Sequence, residues 1–153
     1  MKREIERKFL VVAEKLPPLV KGKEITNVYL ATKPEIRVRT VDKKAFLTIK
    51  GGGSLTGDEF EYKIPLAEGR KLLNYSNLKI EKTRFHLPLN NLTWSIDFYK
   101  GDNKGLVLAE IELPSEAAEF KKPLWLEKEV TADLRFRNLS LAQNPFNSWK
   151  EGI

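Results

Sequence analysis

The stretch Glu4-Ile5-Glu6-Arg7-Lys8-Phe9-Leu10 alternates charged and apolar side chains close to the start of the chain. Residues two apart in a β-strand point to the same face of the sheet. The alternation therefore predicts a strand that carries Glu4, Glu6 and Lys8 in one row, with Ile5 and Phe9 on the opposite face. A half-exposed strand of this kind belongs in an antiparallel sheet.

The same pattern returns towards the end of the chain, in Val107-Leu108-Ala109-Glu110-Ile111-Glu112-Leu113. Here Glu110 and Glu112 share one face, and apolar residues occupy the other. Charge on one face of a single strand is common, but this chain repeats it with both signs of charge. The two rows of paired carboxylates are the starting point for a functional interpretation.

Composition limits the kinds of protein and site that the chain can form. Its 153 residues are 41% hydrophobic and 31% charged, which predicts one folded domain over residues 1–153 with a sizeable core. The chain has no cysteine, which excludes disulfides, thiolate metal sites and cysteine nucleophiles. It has one histidine. The net charge of +6 suits a polyanionic ligand or simple solubility.

Period-two alternation dominates the rest of the sequence. Further strands are predicted at 27–31, 35–41, 44–50, 59–64, 78–85, 93–99 and 127–131. Helices are predicted at 66–75 and at 115–121, where Ser115 could act as the N-cap, and a helical turn at 138–142. This predicts a mainly β fold with short helices (α+β), as an antiparallel sheet that curls or closes.

Two orientations of such a sheet remain open at this point. If the apolar faces point inward, the charged faces form a solvated surface. If the charged faces point inward, they line a polar tunnel, and helices or a partner subunit must cover the apolar outside. A membrane barrel has the second arrangement, but the N-terminus has no apolar signal region, so we expect a cytoplasmic protein without membrane contact.

The charged faces carry both acids and bases. Crowded carboxylates repel each other, and a divalent cation or a proton relieves the repulsion. Without cysteine, oxygen ligands favour Mg²⁺ or Mn²⁺. Arginine and lysine suit phosphate oxygens, so the two groups together favour metal-assisted phosphoryl transfer. The acids are Glu4, Glu6, Glu59, Glu61, Asp97, Glu110 and Glu112, and the bases are Lys8, Arg37, Arg39, Lys50, Lys63, Lys82, Arg84 and Arg135.

Each row taken alone has a simpler interpretation as solvent-facing charge on a strand. Lys50 precedes Gly51-Gly52-Gly53 without the Gly-Lys-Ser/Thr pattern of a phosphate loop, and His86 has no partner serine motif. The combination of two Glu-x-Glu rows with basic strands between them is what favours a site.

That combination resembles the CYTH superfamily, the triphosphate tunnel metalloenzymes, and in particular its small bacterial inorganic triphosphatases. The start of the chain is similar to the family's Glu-x-Glu-x-Lys signature. The later motifs follow in family order over nearly the whole chain: Tyr29-Leu30, Ile36-Arg37-Val38-Arg39, Leu47-Thr48-Ile49-Lys50, Glu59-Phe60-Glu61, Glu81-Lys82-Thr83-Arg84-Phe85, Asp97-Phe98, Leu108-Ala109-Glu110-Ile111-Glu112, and Glu129-Val130-Thr131 with Asp133, Arg135 and Asn138.

The resemblance implies a closed eight-stranded antiparallel β-barrel with a charged interior, and Mg²⁺- or Mn²⁺-dependent hydrolysis of a triphosphate. The first choice of substrate is inorganic tripolyphosphate, which would give pyrophosphate and phosphate. It implies metal ligands at Glu4, Glu6, Asp97, Glu110 and Glu112, and substrate-binding cations at Lys8, Arg37, Arg39, Lys50, Lys82, Arg84 and Arg135. The implied catalytic set is Glu4, Glu6, Lys8, Tyr29, Lys82, Glu110 and Glu112, with Glu59 and Glu61 orienting the cations.

Two departures from the family pattern affect these expectations. Leu134 and Phe136 stand where close bacterial members tend to carry Lys and Tyr, and Lys63 adds a cation without a clear family counterpart. Alternatives within the fold are an adenylyl cyclase and a thiamine or nucleoside triphosphatase. The alternative outside enzymes is a polyphosphate- or RNA-binding module, although nucleic acid is not the expected partner. The apolar outer face of a tunnel also favours a homodimer.

Overall fold

The computed structural model describes residues 5–51 and 58–150 of the 153-residue chain. Glu4, predicted above as a metal ligand, lies outside these residues. No helix in the two described ranges is long and apolar enough to cross a membrane.

A single antiparallel sheet of nine strands dominates the fold, as the period-two alternation predicts. The sheet order is β5-β4-β3-β2-β6-β7-β8-β1-β9. The strands are β1 (Ile5–Val11), β2 (Lys23–Thr32), β3 (Glu35–Val41), β4 (Lys44–Gly51), β5 (Asp58–Ile64), β6 (Lys79–Leu89), β7 (Leu92–Tyr99), β8 (Val107–Leu113) and β9 (Leu126–Glu129). The helices are α1 (Leu66–Leu72) and α2 (Asn138–Gln143).

The prediction of a closed eight-stranded barrel is wrong in both strand number and closure. The sheet is open, with β5 and β9 as its two edges. The short strand β9 pairs with the free side of β1, and its register shifts between Phe9 and Val11. β9 pairs with β1 at Phe9 and Val11, and no ladder joins β5 to β1 in the described part of the chain.

The helix predicted at 115–121 is also wrong. This segment lies in an irregular stretch, and a helix-like contact there is the hydrogen bond from Ala118 N to Ser115 O at 3.2 Å. Phe120 from this segment instead packs edge-on against Phe9 and Trp94, with ring centroids 5.9 and 5.5 Å away. Aromatic packing therefore outweighs a local helix preference.

The tight turn between β6 and β7 agrees with its local sequence. Asn90 and Asn91, between β6 and β7, have φ angles of 52° and 63°. A two-residue hairpin turn of this hand needs positive φ at both positions, and asparagine tolerates it better than most residues. The turn fixes the pairing of Arg84 with Asp97 further along the same hairpin.

The two faces of the sheet differ as the alternation predicts. Cross-strand partners share a face, and the register places Glu6 opposite Glu112, Lys8 opposite Glu110 and Arg84 opposite Asp97. On the other face, Phe9, Trp94, Ile96, Ala109, Ile111, Leu113 and Trp125 form a buried cluster.

A second apolar cluster lies on the charged face and closes one end of it. Leu10 and Leu108 continue the faces of Lys8 and Glu110, and they pack with Phe136 and Leu141 from the C-terminal segment. Phe136 and Leu141 are completely buried. The remaining buried members are Tyr29, Ile80, Tyr99, Leu106 and Val130. This cluster anchors α2 next to the charged residues, a feature that the strand pattern does not indicate.

Helix α1 covers the apolar face of β3 and β4 through a close contact at Gly69. A Cβ atom built at Gly69 would lie 2.4 Å from Ala45 Cβ, a methyl carbon that has no rotamer to change. We expect Gly69→Ala to lower the free energy of unfolding by about 1–3 kcal/mol through overpacking. Urea unfolding should report the loss. An unchanged midpoint would contradict the tight helix-sheet contact, and Ala67→Gly on the exposed side of α1 separates it from helix propensity.

Candidate active site

The charged face of the sheet borders a cavity of about 540 Å³. Its walls come from β1, β2, β3, the end of β4, the start of β5, and α2, so the sheet curls far enough for both halves to face the same space. The lining residues are Glu6, Lys8, Tyr29, Thr32, Lys33, Pro34, Glu35, Arg37, Lys50, Gly51, Asp58, Glu59, Arg137, Asn138, Leu139, Ser140 and Gln143.

A fully buried carboxylate, Asp97, organises the cations on β6. Arg84 Nε and Nη2 donate hydrogen bonds to Asp97 Oδ1 and Oδ2 at 2.7 and 2.8 Å, a bidentate pair. Lys82 Nζ lies 2.9 Å from Asp97 Oδ2. Burial by itself would raise the pKa of Asp97, but the hydrogen bond from Arg84 and the charge of Lys82 hold that pKa at about 2. Asp97 is therefore ionised and engaged by two cations.

Lys82 is completely buried, and its ammonium group is only partly satisfied. Its contact with Asp97 has the distance of an ion pair without hydrogen-bond geometry, and Nζ has no hydrogen-bond acceptor among the described residues. Burial lowers the pKa of Lys82, and the charge of Asp97 opposes that change. A buried donor without an acceptor is costly, so this position favours an anionic ligand.

Glu110 connects the β6 cations to β1. Its carboxylate lies 3.7 Å from Lys8 Nζ and 3.8 Å from Arg84 Nη2. Lys8 Nζ also donates a hydrogen bond to the main-chain oxygen of Phe136 at 3.1 Å. The two ion pairs and this hydrogen bond place β1, β6, β8 and the C-terminal segment around one group of charges.

A second group of cations lies on β3. Arg39 Nε donates a hydrogen bond to Asn27 Oδ1 at 2.8 Å, and Arg37 Nη2 donates to Thr48 Oγ1 at 3.4 Å. Arg37 is buried, and its Nε has no hydrogen-bond partner in the described part of the chain. Burial, followed by the charges of Arg37 and Arg84, lowers the pKa of Arg39 to about 10. The two basic strands therefore lie close enough to repel each other.

Negative charges crowd each other at Glu6, as the positive charges do on β3. Partial burial raises the pKa of Glu6, and the charge of Glu110 raises it further, although part of the residue stays open to solvent.

Among residues 5–51 and 58–150, no three His, Cys, Asp or Glu side chains lie together as a ready-made metal cage. Mg²⁺ commonly takes one or two carboxylates together with substrate phosphates, so an oxygen-only pair such as Glu6 and Glu110 fits it.

The other predicted site residues lie around these groups. Tyr29 is buried opposite Arg37, and burial raises the pKa of its hydroxyl. Lys50 and Glu59 are register partners in the cavity wall, and Lys50 Nζ lies 3.7 Å from Glu35. Glu61 and Glu112 also lie on the charged face of the sheet. Glu61 lies opposite Thr48, and Glu112 is exposed opposite Glu6.

The C-terminal segment brings residues to the cavity that the sequence pattern did not single out. Arg137, Asn138 and Gln143 line it. Of the predicted site residues that the structure describes, those that are not among the lining residues are Arg39, Glu61, Lys82, Arg84, Asp97, Glu110, Glu112 and Arg135. Asn138 Oδ1 accepts a hydrogen bond from the hydroxyl of the buried Tyr99 at 2.9 Å. Tyr99 lies two residues from Asp97 on the same strand face, which is the sequence signal that could have identified it.

Comparisons with known proteins agree with this geometry. The CYTH domain matches residues 2–144. An inorganic triphosphatase of Acetivibrio thermocellus is 41% identical, over 99% of this chain and all of the relative. One from Nitrosomonas europaea is 35% identical, over 91% of this chain and 96% of the relative.

Solved structures give the same result. A crystal structure of an inorganic triphosphatase matches with a TM-score of 0.74 and 32% identity, covering 93% of this chain and 95% of that one. A putative adenylyl cyclase from Hippeastrum, at 16% identity and a TM-score of 0.54 over 74% of this chain and 80% of that one, shares the fold. The matches span nearly the full length of the chain and include the strands that carry its charged face, and the chain belongs to the CYTH domain family.

Proposed function

We propose that this protein hydrolyses inorganic tripolyphosphate to pyrophosphate and phosphate with the help of Mg²⁺ or Mn²⁺. The observation that carries the proposal is the crowding of buried, incompletely satisfied cations on one face of the sheet. Arg37 Nε and Lys82 Nζ have no hydrogen-bond acceptor in the described part of the chain, and Arg39 lies among other arginines. Full-length relatives named inorganic triphosphatases support the choice of substrate.

The metal would lie on the carboxylate side of the charged face. Glu6 and Glu110 would hold it, together with Glu4 and Glu112 as the family resemblance implies. A divalent cation would supply Lewis-acid polarisation of a phosphate oxygen and an acidified water. Asp97 has a different role in this proposal, because Lys82 and Arg84 already engage its carboxylate.

The cations of the site would bind and orient the phosphates. Arg37 and Arg39 would offer planar pairs of donors, while Lys8 and Lys82 would act as point charges. Asp97 would hold Arg84 in a fixed orientation, and Glu59 would do the same for its cross-strand neighbour Lys50. Glu61 would act on Arg39 through its charge. Fixed donors of this kind stabilise charge that develops on transferred phosphate without reorganisation during the reaction. The sequence predicts a substrate-binding set of Lys8, Arg37, Arg39, Lys50, Lys82, Arg84 and Arg135. The geometry supports Arg135 least, because Asp133 already engages its guanidinium.

The direct test is phosphate release from a panel of compounds with Mg²⁺, with Mn²⁺ and with a chelator. Tripolyphosphate, thiamine triphosphate, ATP and pyrophosphate make up the panel, with chromatography of the products. We expect metal-dependent release from tripolyphosphate in preference to the others. A cyclic nucleotide with pyrophosphate would identify a cyclase, and binding without turnover would identify a binding module; either result rejects the proposal.

Arg39 tests whether the basic strands hold phosphate through a planar fork. Arg39→Ala should lower kcat/KM for tripolyphosphate by about tenfold or more, because a charge-assisted hydrogen bond to the substrate is lost. Arg39→Lys should recover only part of the loss, since an ammonium lacks paired donors. Steady-state kinetics decide the matter, with Arg70→Ala on the exposed side of α1 as control. Equal kinetics for Arg and Lys would reject bidentate binding.

The homodimer and the cytoplasmic location remain predictions. On the edge strand β5, Phe60 and Tyr62 are 49% and 53% exposed on the face away from the cavity. A second subunit would cover such residues. Light scattering coupled to size-exclusion chromatography gives the oligomeric state, and a monomer at micromolar concentration would reject the dimer.

A further inference from the structure

The segment that follows β9 places two arginines, Arg135 and Arg137, in different surroundings. A 3₁₀ turn (Leu134–Phe136) leads directly into α2. The main chain of Arg137 is fixed at both ends, because its N donates to Leu134 O at 3.2 Å and its O accepts from Leu141 N at 2.9 Å. Phe136 and Leu141, both fully buried, anchor this backbone in the apolar cluster.

Arg135 is already engaged by the protein. Its Nη2 donates to Asp133 Oδ2 at 2.7 Å, and its Nε donates to both carboxylate oxygens of Asp133. Its guanidinium also lies 4.6 Å from the centre of the Trp149 ring. These contacts neutralise the charge and hold the side chain in a stack, which suits a structural role for Arg135.

Arg137 lies in the cavity wall, and within residues 5–51 and 58–150 its side chain makes no ion pair and no ring contact of this kind. It lines the cavity together with Lys8, Lys33, Arg37 and Lys50. Of these five cations, Lys8 and Lys50 lie near Glu110 and Glu35 respectively. Neither Arg37 nor Arg137 makes an ion pair within residues 5–51 and 58–150, so both arginines keep their charge available in the cavity.

The balance of charge in the cavity wall depends on this residue. Five basic and four acidic residues line the cavity, and Arg137 is one of the five cations that give the lining its positive formal charge. Arg137 precedes α2 as its N-cap residue, and its side chain is exposed. Because the backbone there is already ordered, binding a phosphate group would restrict only the side chain of Arg137.

We propose that Arg137 is a substrate-binding residue that contacts a phosphate group of the polyphosphate chain, in addition to the cations of the sheet. This rests on the proposed function for the identity of the substrate. Neither the charge alternation of the strands nor the relatives assign a role to Arg137. The residue acts by holding substrate, so its loss should raise KM for tripolyphosphate more than it lowers kcat.

The test measures binding separately from turnover. Isothermal titration calorimetry with sodium tripolyphosphate and EDTA, at fixed salt, compares the wild type with Arg137→Ala, Arg137→Lys and the control Arg70→Ala. We expect Arg137→Ala to bind about tenfold more weakly, which is the loss of a charged hydrogen bond. Arg137→Lys should bind with intermediate affinity, and Arg70→Ala should bind as the wild type. Arg137→Gln gives a second variant of nearly the same length if the alanine variant does not fold.

The possible outcomes separate this proposal from the proposed function. Equal affinity of the wild type and Arg137→Ala would overturn the assignment of Arg137, even if the wild type hydrolyses tripolyphosphate. Weaker binding by Arg137→Ala, together with no hydrolysis by the wild type, would support Arg137 as a polyphosphate ligand and reject the enzyme activity. A loss of affinity in Arg70→Ala as large as in Arg137→Ala would show a general effect of net charge and overturn the assignment.

Discussion

Glu110→Gln is expected to lower kcat/KM for tripolyphosphate on the order of a hundredfold or more. Glutamine keeps the size of the side chain but removes its negative charge. Glu110 lies 3.7 Å from Lys8 Nζ and 3.8 Å from Arg84 Nη2, and its charge raises the pKa of Glu6. The substitution would therefore weaken the metal side of the site and loosen two substrate-binding cations at once.

Two measurements separate these effects. Metal titration of the activity should show a higher metal requirement in Glu110→Gln. The pKa of Glu6, followed by NMR of its side-chain carboxyl carbon, should fall towards its ordinary value because a neighbouring negative charge has been removed. Glu68→Gln on the exposed side of α1 is the control. Full activity of Glu110→Gln would reject the assignment of Glu110 to the catalytic centre.

The sequence predicted the faces of the sheet well because alternation is a local property. The parity of Lys8 within β1 and of Glu110 within β8 follows from their immediate neighbours, and the register then places them opposite each other. Closure of the sheet is a different kind of property. It depends on which strand pairs with the free side of β1, and a four-residue strand such as β9 carries little signal in a single sequence.

The C-terminal segment was less predictable for a related reason. It contains short turns and one short helix, so no repeated period indicates which side chains face the cavity. Family resemblance drew attention to Arg135, whereas the cavity wall contains Arg137. The difference depends on how Phe136 and Leu141 pack against Leu10 and Leu108, contacts between residues distant in sequence. Such contacts form only in the folded chain, so the sequence alone does not show which side of the segment faces the cavity.

Asp97→Asn should be strongly destabilising, by about 3–5 kcal/mol of the free energy of unfolding at pH 7. The carboxylate is fully buried and engaged by Lys82 and Arg84. An amide would leave the buried ammonium of Lys82 without its counter-charge and would replace an acceptor of Arg84 with a donor. Urea unfolding measures the loss, with the exposed Asp102→Asn as control. A loss below about 1 kcal/mol would contradict the importance of the buried ion pairs.

The pH dependence of stability gives an independent check on the same group. The native pKa of Asp97 is about 2, below its ordinary value of 3.8, so ionisation of this carboxyl favours the folded state. Its contribution is fully present above pH 3.8 and decreases as the pH falls through about 2. The difference in stability between wild type and Asp97→Asn should therefore be constant from pH 7 to pH 5 and shrink between pH 4 and pH 2. Taking the difference cancels the titration of carboxylates far from Asp97, which the two proteins share. A difference that stays constant down to pH 2 would show that the charge of Asp97 is not what stabilises the cluster.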